Sequence, residues 1–431
     1  MINWWSEQAM DCSDYFKVLT SLRYFGEIPE DYEITRLAHR VKEPFKARVQ
    51  KAVFGVYSNL ISSRESLYKY MGVSREYEAY EKLVSAIQSP LKPSFKDFSN
   101  FFTEVEIDLN DLPFIKYYRE DGGSYLTGSI FISCIDDVCN ASFHRVMRIN
   151  GSRAVVRIVP RHLHRIYTNY RERGEDTPVA VILGSHPLIE VASAASPPYG
   201  VYEMWVANKL LEGCLNLAYT PIYELPIPTC ATVVLEGVIA GELHEEGPFV
   251  DILGIPDQAR MQPVFKFEKA YINVGLEDPL IHAIVPGLEE HVLLMGFPRE
   301  ASIWDSVRRV HSDVRSVRLT RGSGGWLHAV ISIKKSSEGD AKNVVMAAFA
   351  GHPSLKHVVV VDEDIDVDDP YSVEWAIATR FQASRGLIVI KGSRGSTLDP
   401  SSVDGLTDKV GVDATKPIDK DPKLFKRAGI P

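Results

Sequence analysis

From residue 326 to residue 390 the chain contains WLHAVISI (326–333), AKNVVMAAFA (341–350), HVVVVD (357–362), SVEWAIATRF (372–381) and GLIVI (386–390). Short runs rich in β-branched residues alternate with segments of helical periodicity. That order predicts β-α-β-α-β and a doubly wound, mostly parallel sheet. The tail from Gly392 is rich in Gly, Ser, Asp, Lys and Pro and reads as ordered loop.

Upstream the pattern is different. TGSIFISCI (127–135), RAVVRIV (153–159), ATVVLEGVIAGEL (231–243) and PVFKFEKAYINV (263–274) are strand-like runs separated by Gly, Pro, Asn and Asp. Between them, PVAVILGSHPLIEVASAA (178–195) reads as a buried strand, a Gly, a capping Ser185 and a first-turn Pro187 that opens a helix. The middle third is therefore β-rich with helical inserts, a barrel or a sandwich. The first hundred residues read as mostly helical, and SREYEAYEKLVSAIQ (74–88) sets Tyr80, Leu83, Val84 and Ile87 on one helical face. Ser74 caps its start, and Pro90 and Pro93 bar the helix from continuing. No repeat of 20–50 residues is visible.

At about 150 residues per domain, a chain of 431 residues predicts three domains. Hydrophobic residues at 45% and charged residues at 24% exclude a disordered chain and a collagen-like fibre. No apolar run reaches the roughly 18 residues of a transmembrane helix. The opening MINWWSEQAMDCSDYFK lacks the basic start and apolar core of a signal peptide. A net charge of −9 without a Lys/Arg-rich block excludes a broad nucleic-acid footprint but leaves room for one cationic pocket. Five cysteines without a CxxC pair are expected to be reduced thiols of a cytoplasmic protein.

Some familiar signatures can be set aside. RGSGGW (321–326) lacks the Lys-Ser/Thr ending of a phosphate loop and reads as a turn. The acidic run Asp362 to Asp369 lacks the Gly and distal Glu of a calcium loop and reads as a solvated connection. Cys139 reads as a buried thiol. More pointed is CNASFHR (139–145), polar and placed just after a strand, with His162 and His164 at the end of another. Glu236 stands inside an apolar strand, where a carboxylate needs a cation or hydrogen-bond donors unless it faces outward. Glu289 and Glu290 are adjacent acids at the start of an apolar run, a position the helix dipole favours. Whether either could donate a proton near neutral pH depends on burial, which raises its pKa, against a neighbouring guanidinium, which lowers it.

Taken together and in order, these pieces resemble the UbiD-type decarboxylases, which use prenylated FMN. The resemblance covers nearly the whole chain. It runs through Asn140-x4-Arg145, Arg161-His162, PVAVILGSHP, Leu235-Glu236-Gly237, EGPF (246–249), GLEEHVLLMG (287–296), WAIATR (375–380) and GVDATKP (411–417).

The resemblance implies an N-terminal α/β region (1–104), a central split β-barrel related to flavin reductases (105–300) and a C-terminal α/β domain (301–431). It implies that Asn140, His162 and Glu236 hold a divalent cation, Mn2+, that also binds the cofactor phosphate, with His164 the alternative to His162. A K+ ion can accompany it. Amide oxygen, carboxylate and imidazole suit such a cation. Phe143, His144, Arg145 and Arg161, with the backbone of Arg157, Ile158 and Val159, would lie along the flavin. Arg145 would anchor the substrate carboxylate through its bidentate fork.

In the family this Arg is coupled to two acids. Glu290 is the expected proton donor, Glu289 the second choice, and the other acid has no clear position in the sequence. The implied activity is carboxy-lyase chemistry with covalent catalysis by the cofactor, on an α,β-unsaturated acid. The expected reaction is trans-anhydromevalonate phosphate to isopentenyl phosphate in an archaeal-type mevalonate pathway. A 4-hydroxy-3-polyprenylbenzoate of quinone biosynthesis is the alternative substrate, and a non-catalytic flavin-binding subunit a second alternative. The implied partners are a flavin prenyltransferase that supplies the cofactor, and further copies of the chain in a homodimer or larger homo-oligomer.

Overall fold

Two fourteen-residue strands, Val233–Glu246 and Arg260–Asn273, pair antiparallel along most of their length. Both are rich in β-branched and aromatic residues, which pack well on a pleated surface. The structure is a computed structural model that describes residues 12–428. On one side of the central pair lie Arg153–Val156, Val146–Asn150 and Tyr125–Leu126. On the other lie Thr177–Leu183, Ser129–Ile135 and Val138–Phe143, while Phe102–Val105 is a further partner of Arg260–Asn273. All pairs in this nine-stranded ladder are antiparallel. Leu126 and Val146 from one end meet Phe131 from the other in a cluster with Val181, Leu235 and Phe265. The ladder therefore curls round one core, as strands must to bury one face against itself.

The N-terminal residues do not form a body of their own. Arg23–Ile28, Phe45–Val49 and Gly55–Ser58 build a sheet whose fourth strand is Leu280–His282, from far along the chain. The described chain divides into two compact units. The first takes residues up to Arg75 together with Ser85–Leu294, and the second takes Glu76–Val84 and everything from Met295. The predicted helix at 74–88 is present as Glu76–Gln88, with Tyr80, Leu83 and Val84 buried.

Local signals mostly act as expected, with informative exceptions. The helix Pro187–Ala195 starts at its Pro, but its cap is His186, whose ring Nδ1 accepts from the Leu188 N–H at 3.1 Å, in place of Ser185. RAVVRIV ends as a strand at Val156, and His162 opens the helix His162–Glu172.

In the second unit the sheet order is Val314–Leu319, His328–Ile333, His357–Asp362, Leu406–Ala414, Leu387–Arg394. The three inner strands are parallel, and the helices Asp340–Gly351 and Pro370–Arg380 connect the first two of these to the next strands. GLIVI is thus an antiparallel edge strand, while a segment expected to be loop supplies the third parallel strand. LTDKVGVDA (406–414) hides its role because its inward positions include Thr407, Lys409 and Gly411. Lys409 is buried with its ammonium donating to the carbonyls of Pro353 and Leu355.

Cysteine pairing also departs from expectation. Cys12 is bonded to Cys230 and Cys134 to Cys139, leaving Cys214 free and exposed. Cys134 and Cys139 are cross-strand neighbours in the hairpin of Ser129–Ile135 and Val138–Phe143, which brings their sulfurs together. Among the described residues no helix is long and apolar enough to cross a membrane.

Candidate active site

Asn140 lies on the strand Val138–Phe143, paired with Ser133, and is buried. The carboxylate that meets it is Glu203, in the first turn of the helix Glu203–Leu210. Glu203 Oε1 accepts from Asn140 Nδ2 at 2.8 Å and Oε2 from the Ala141 N–H at 2.7 Å. His162 Nδ1 stands 3.9 Å from Oε1, too far for a hydrogen bond. Burial raises the Glu203 pKa above the usual carboxylate range, opposed by His162 and the Ala141 N–H. A helix turns about 100° per residue, so His162 and His164 face nearly opposite directions. His162 takes the side of Glu203, while His164 lies against Thr168 one turn on.

Ser142 Oγ is 2.9 Å from both Asn140 Oδ1 and His144 Nε2. Burial lowers the His144 pKa to about 4, so the ring is neutral. Its Nδ1 lies 2.9 Å from the Arg157 carbonyl, which can only accept. Ser142 has one proton for Asn140 Oδ1 and His144 Nε2 to share, so Oδ1 keeps at least one lone pair free. An amide oxygen with a free lone pair, a buried carboxylate and an imidazole fit a hard divalent cation. Among the described residues no three His, Cys, Asp or Glu side chains form such a group, so this set depends on the amide.

Glu236, expected in this set, is elsewhere. It is fully buried and accepts from the N–H groups of Ile222 and Tyr223 (3.3 and 3.1 Å) and from the Tyr271 hydroxyl (3.1 Å). Its strand, Val233–Glu246, is separated from that of Asn140 by Thr177–Leu183 and Ser129–Ile135. At about 4.8 Å per strand, the gap is roughly 14 Å.

Arg145, just past the same strand, is held by acids at the end of the strand Val233–Glu246 and in the connection that follows it. Its Nε and Nη2 donate to the two oxygens of Glu246 at 2.8 and 3.0 Å, and Nη1 donates to Asp251 Oδ2 at 2.9 Å. Asp257 Oδ2 accepts from Nη2 at 3.2 Å, and the guanidinium lies 4.4 Å from the centre of the Phe249 ring. Burial alone would lower the Arg145 pKa, but Glu246, Asp251 and Asp257 raise it. Burial likewise pushes the Asp257 carboxyl up, and Arg260 and Arg145 bring it below the ordinary range. The acidic loop is itself tied down. Asp121 accepts from the Val250 N–H, and the Pro248 carbonyl accepts from the Gly122 N–H. A Cβ at Gly122 would strike the Gly247 backbone and the Pro248 ring, so this approach requires glycine.

Neither expected proton donor meets Arg145 through a hydrogen bond or ion pair. Glu290 is buried and accepts from the N–H groups of Asn59 (2.7 Å) and Ile61 (3.0 Å), with His282 Nε2 at 3.1 Å. Burial would raise its pKa, yet His282 and those N–H groups hold it below the usual range. Glu289 is half-buried in the same helical turn.

Of the remaining predicted positions, Phe143 and Val159 are half-buried. Ile158 is buried, with its N–H on Gln262 Oε1 at 2.9 Å, and Arg161 precedes the helix at His162. Three acids escaped the sequence reading. Glu246 stood inside a quoted motif, EGPF, and Asp251 comes five residues after it. Glu203 had one usable signal, its place at a helix start after Pro-Pro-Tyr-Gly.

Two segments match models of one family. Residues 91–289 match the 3-octaprenyl-4-hydroxybenzoate carboxy-lyase Rift-related domain and 292–414 the C-terminal domain of the same enzymes. The chain belongs to the UbiD family of carboxy-lyases. Among individual proteins it is 49% identical to the anhydromevalonate phosphate decarboxylase of Aeropyrum pernix, over 91% of this chain and 90% of that one. It also resembles the UbiD-class enzyme HmfF from Pelotomaculum thermopropionicum in complex with FMN. The TM-score is 0.90 and the identity 34%, covering 97% of this chain and 96% of the other. An evolved dimeric form of HmfF in complex with prFMN aligns with a TM-score of 0.86 at 32% identity, with the same coverage.

Proposed function

We propose that this chain decarboxylates trans-anhydromevalonate phosphate to isopentenyl phosphate, using prenylated FMN and a divalent cation such as Mn2+. The observation that carries the reading is the pair of constellations on one strand and its end. Asn140 with Glu203 and His162 suits a cation, and Arg145 with Glu246 and Asp251 suits a carboxylate and a proton. The name and 49% identity of the Aeropyrum relative support the substrate, and the flavin in the HmfF complexes supports the cofactor.

Bound prenylated flavin supplies an electron sink for the pair left when carbon dioxide departs. Asn140, His162 and Glu203 would hold a divalent cation, whose positive charge would offset the negative charge of the cofactor phosphate. Arg145, kept in plane by the bidentate Glu246 pair, turns Nη1 toward Asp251, and a substrate carboxylate docks at that edge. The Glu246 side chain is fully buried and orients the guanidinium. The Asp251 side chain is 22% exposed, so its carboxylate can take a proton from water and pass it to the former α-carbon. Asp251 takes the role expected of Glu290.

The test uses protein made alongside a flavin prenyltransferase and offered two acids, trans-anhydromevalonate phosphate and a 4-hydroxy-3-polyprenylbenzoate, with products monitored by mass. Isopentenyl phosphate from the first supports the reading. Turnover of the aryl acid alone moves the substrate class, and modified-flavin absorbance with neither product makes the chain an inert flavin-binding subunit.

A further inference from the structure

The arginines near the site are mostly engaged. Arg148 reaches Glu30, Arg153 pairs with Glu242, Arg165 lies over Tyr199, and Arg260 pairs with Asp257. Arg157 differs. Its N–H donates to the Arg145 carbonyl at 3.1 Å, which ties the two residues together, and its side chain is 17% exposed. Yet its nearest carboxylate oxygen among the described residues, Asp257 Oδ2, is 4.0 Å from Nε, and that atom already accepts from Arg260 at 2.5 Å and Arg145 at 3.2 Å. Burial, then Arg260 and Arg145, lower the proton affinity of Arg157. A largely buried cation without a hydrogen-bonded counterion, beside two like charges, is costly unless an anion joins it. Arg161, four residues on, has no ion pair or hydrogen bond to its guanidinium among the described residues. It also acts electrostatically on His144 together with Arg157.

We propose that Arg157, assisted by Arg161, forms the subsite for the substrate's phosphate monoester while Arg145 holds its carboxylate. This rests on the reaction proposed above and adds where its second anion binds. A phosphate dianion offers several acceptor oxygens, which suits two guanidinium forks. Arg157 and Arg145 approach the same Asp257 oxygen, so their guanidiniums lie no farther apart than those two contacts laid end to end. A six-carbon acid carrying a terminal phosphate spans such a gap. The flavin also has a phosphate, but the carboxylate nearest the Arg157 side chain is Asp257, which Arg145 also reaches, so Arg157 lies beside the carboxylate-binding network.

The experiment compares flavin-loaded wild type with Arg157→Gln, Arg157→Lys and Arg161→Gln. KM and kcat are measured for trans-anhydromevalonate phosphate and for the same acid without phosphate, and bound flavin by absorbance. Expected for Arg157→Gln is a KM for the phosphorylated acid raised about tenfold or more, the loss of a charge-assisted contact. Preference over the unphosphorylated acid collapses, flavin content is unchanged, and Lys recovers part of the loss. Arg161→Gln shifts KM the same way by less. Equal losses on both acids, or an unchanged KM, would overturn the subsite while the reaction stands. Flavin loss in Arg157→Gln would reassign the arginine to the cofactor's phosphate. Wild type inert on the phosphorylated acid but active on an aryl acid would remove both the reaction and the subsite.

Discussion

At the residue scale, function turns on which carboxylate each polar partner meets. Glu203 and Glu236 are both fully enclosed acids, but Glu236 is met by two N–H groups and a hydroxyl, whereas Glu203 stands beside an amide and an imidazole. Glu203→Gln is expected to strip bound manganese and flavin from the holoprotein, measured by elemental analysis and absorbance. Glu236→Gln should keep both, while costing about 1–3 kcal/mol in denaturant unfolding because buried N–H groups lose their acceptor. Asp251→Asn should retain flavin and lower kcat by roughly 10²–10⁴, the usual range for a lost general acid. Glu290→Gln should instead act mainly on stability.

Its partner His282 gives a pH signature. Burial would lower the His282 pKa, but Glu190 and Glu290 raise it to about 10. A raised folded-state pKa stabilises fully below the unfolded value of about 6.5 and loses that effect as pH climbs toward 10. The melting-temperature gap between wild type and His282→Gln should therefore narrow from pH 6.5 to 10, and a widening gap would contradict the assignment. Asn140 and Arg145 were legible because they sit five residues apart on one polar stretch. Their acids were not, since Glu203, Glu246 and Asp251 arrive from distant elements and look like ordinary charged residues in a line of text.

At the scale of elements, periodicity explains both the successes and the errors. HxH at 162–164 leaves two candidate ligands until the segment is known to be helical, whereupon rotation separates them. The strand Leu406–Ala414 escaped because its inward side carries Gly and a buried Lys in place of a continuous apolar run. Gly411 is small there for a reason: a Cβ would collide with Val345 of the helix Asp340–Gly351. Gly411→Ala should cost about 1–3 kcal/mol through forced repacking, read from the unfolding midpoint. An unchanged midpoint would mean that helix and strand can part freely.

At the scale of the whole molecule, two disulfides close loops of very different size. Cys12 and Cys230 are 218 residues apart, Cys134 and Cys139 only 5. By chain entropy the long closure is worth about 5 kcal/mol and the short one about 2. Cys230→Ser should consequently lower the melting temperature more than Cys134→Ser, with pairing checked by mass under non-reducing conditions. The amino-acid sequence by itself determined the α/β class, the β-rich middle and the family. Those depend on local periodicity and on motifs whose order survives in one dimension. Only the tertiary structure decided which acids serve Asn140 and Arg145, which histidine faces them and which cysteines pair. Each of those pairings joins atoms brought together by packing across separate strands and helices, and no local spacing along the chain encodes that distance.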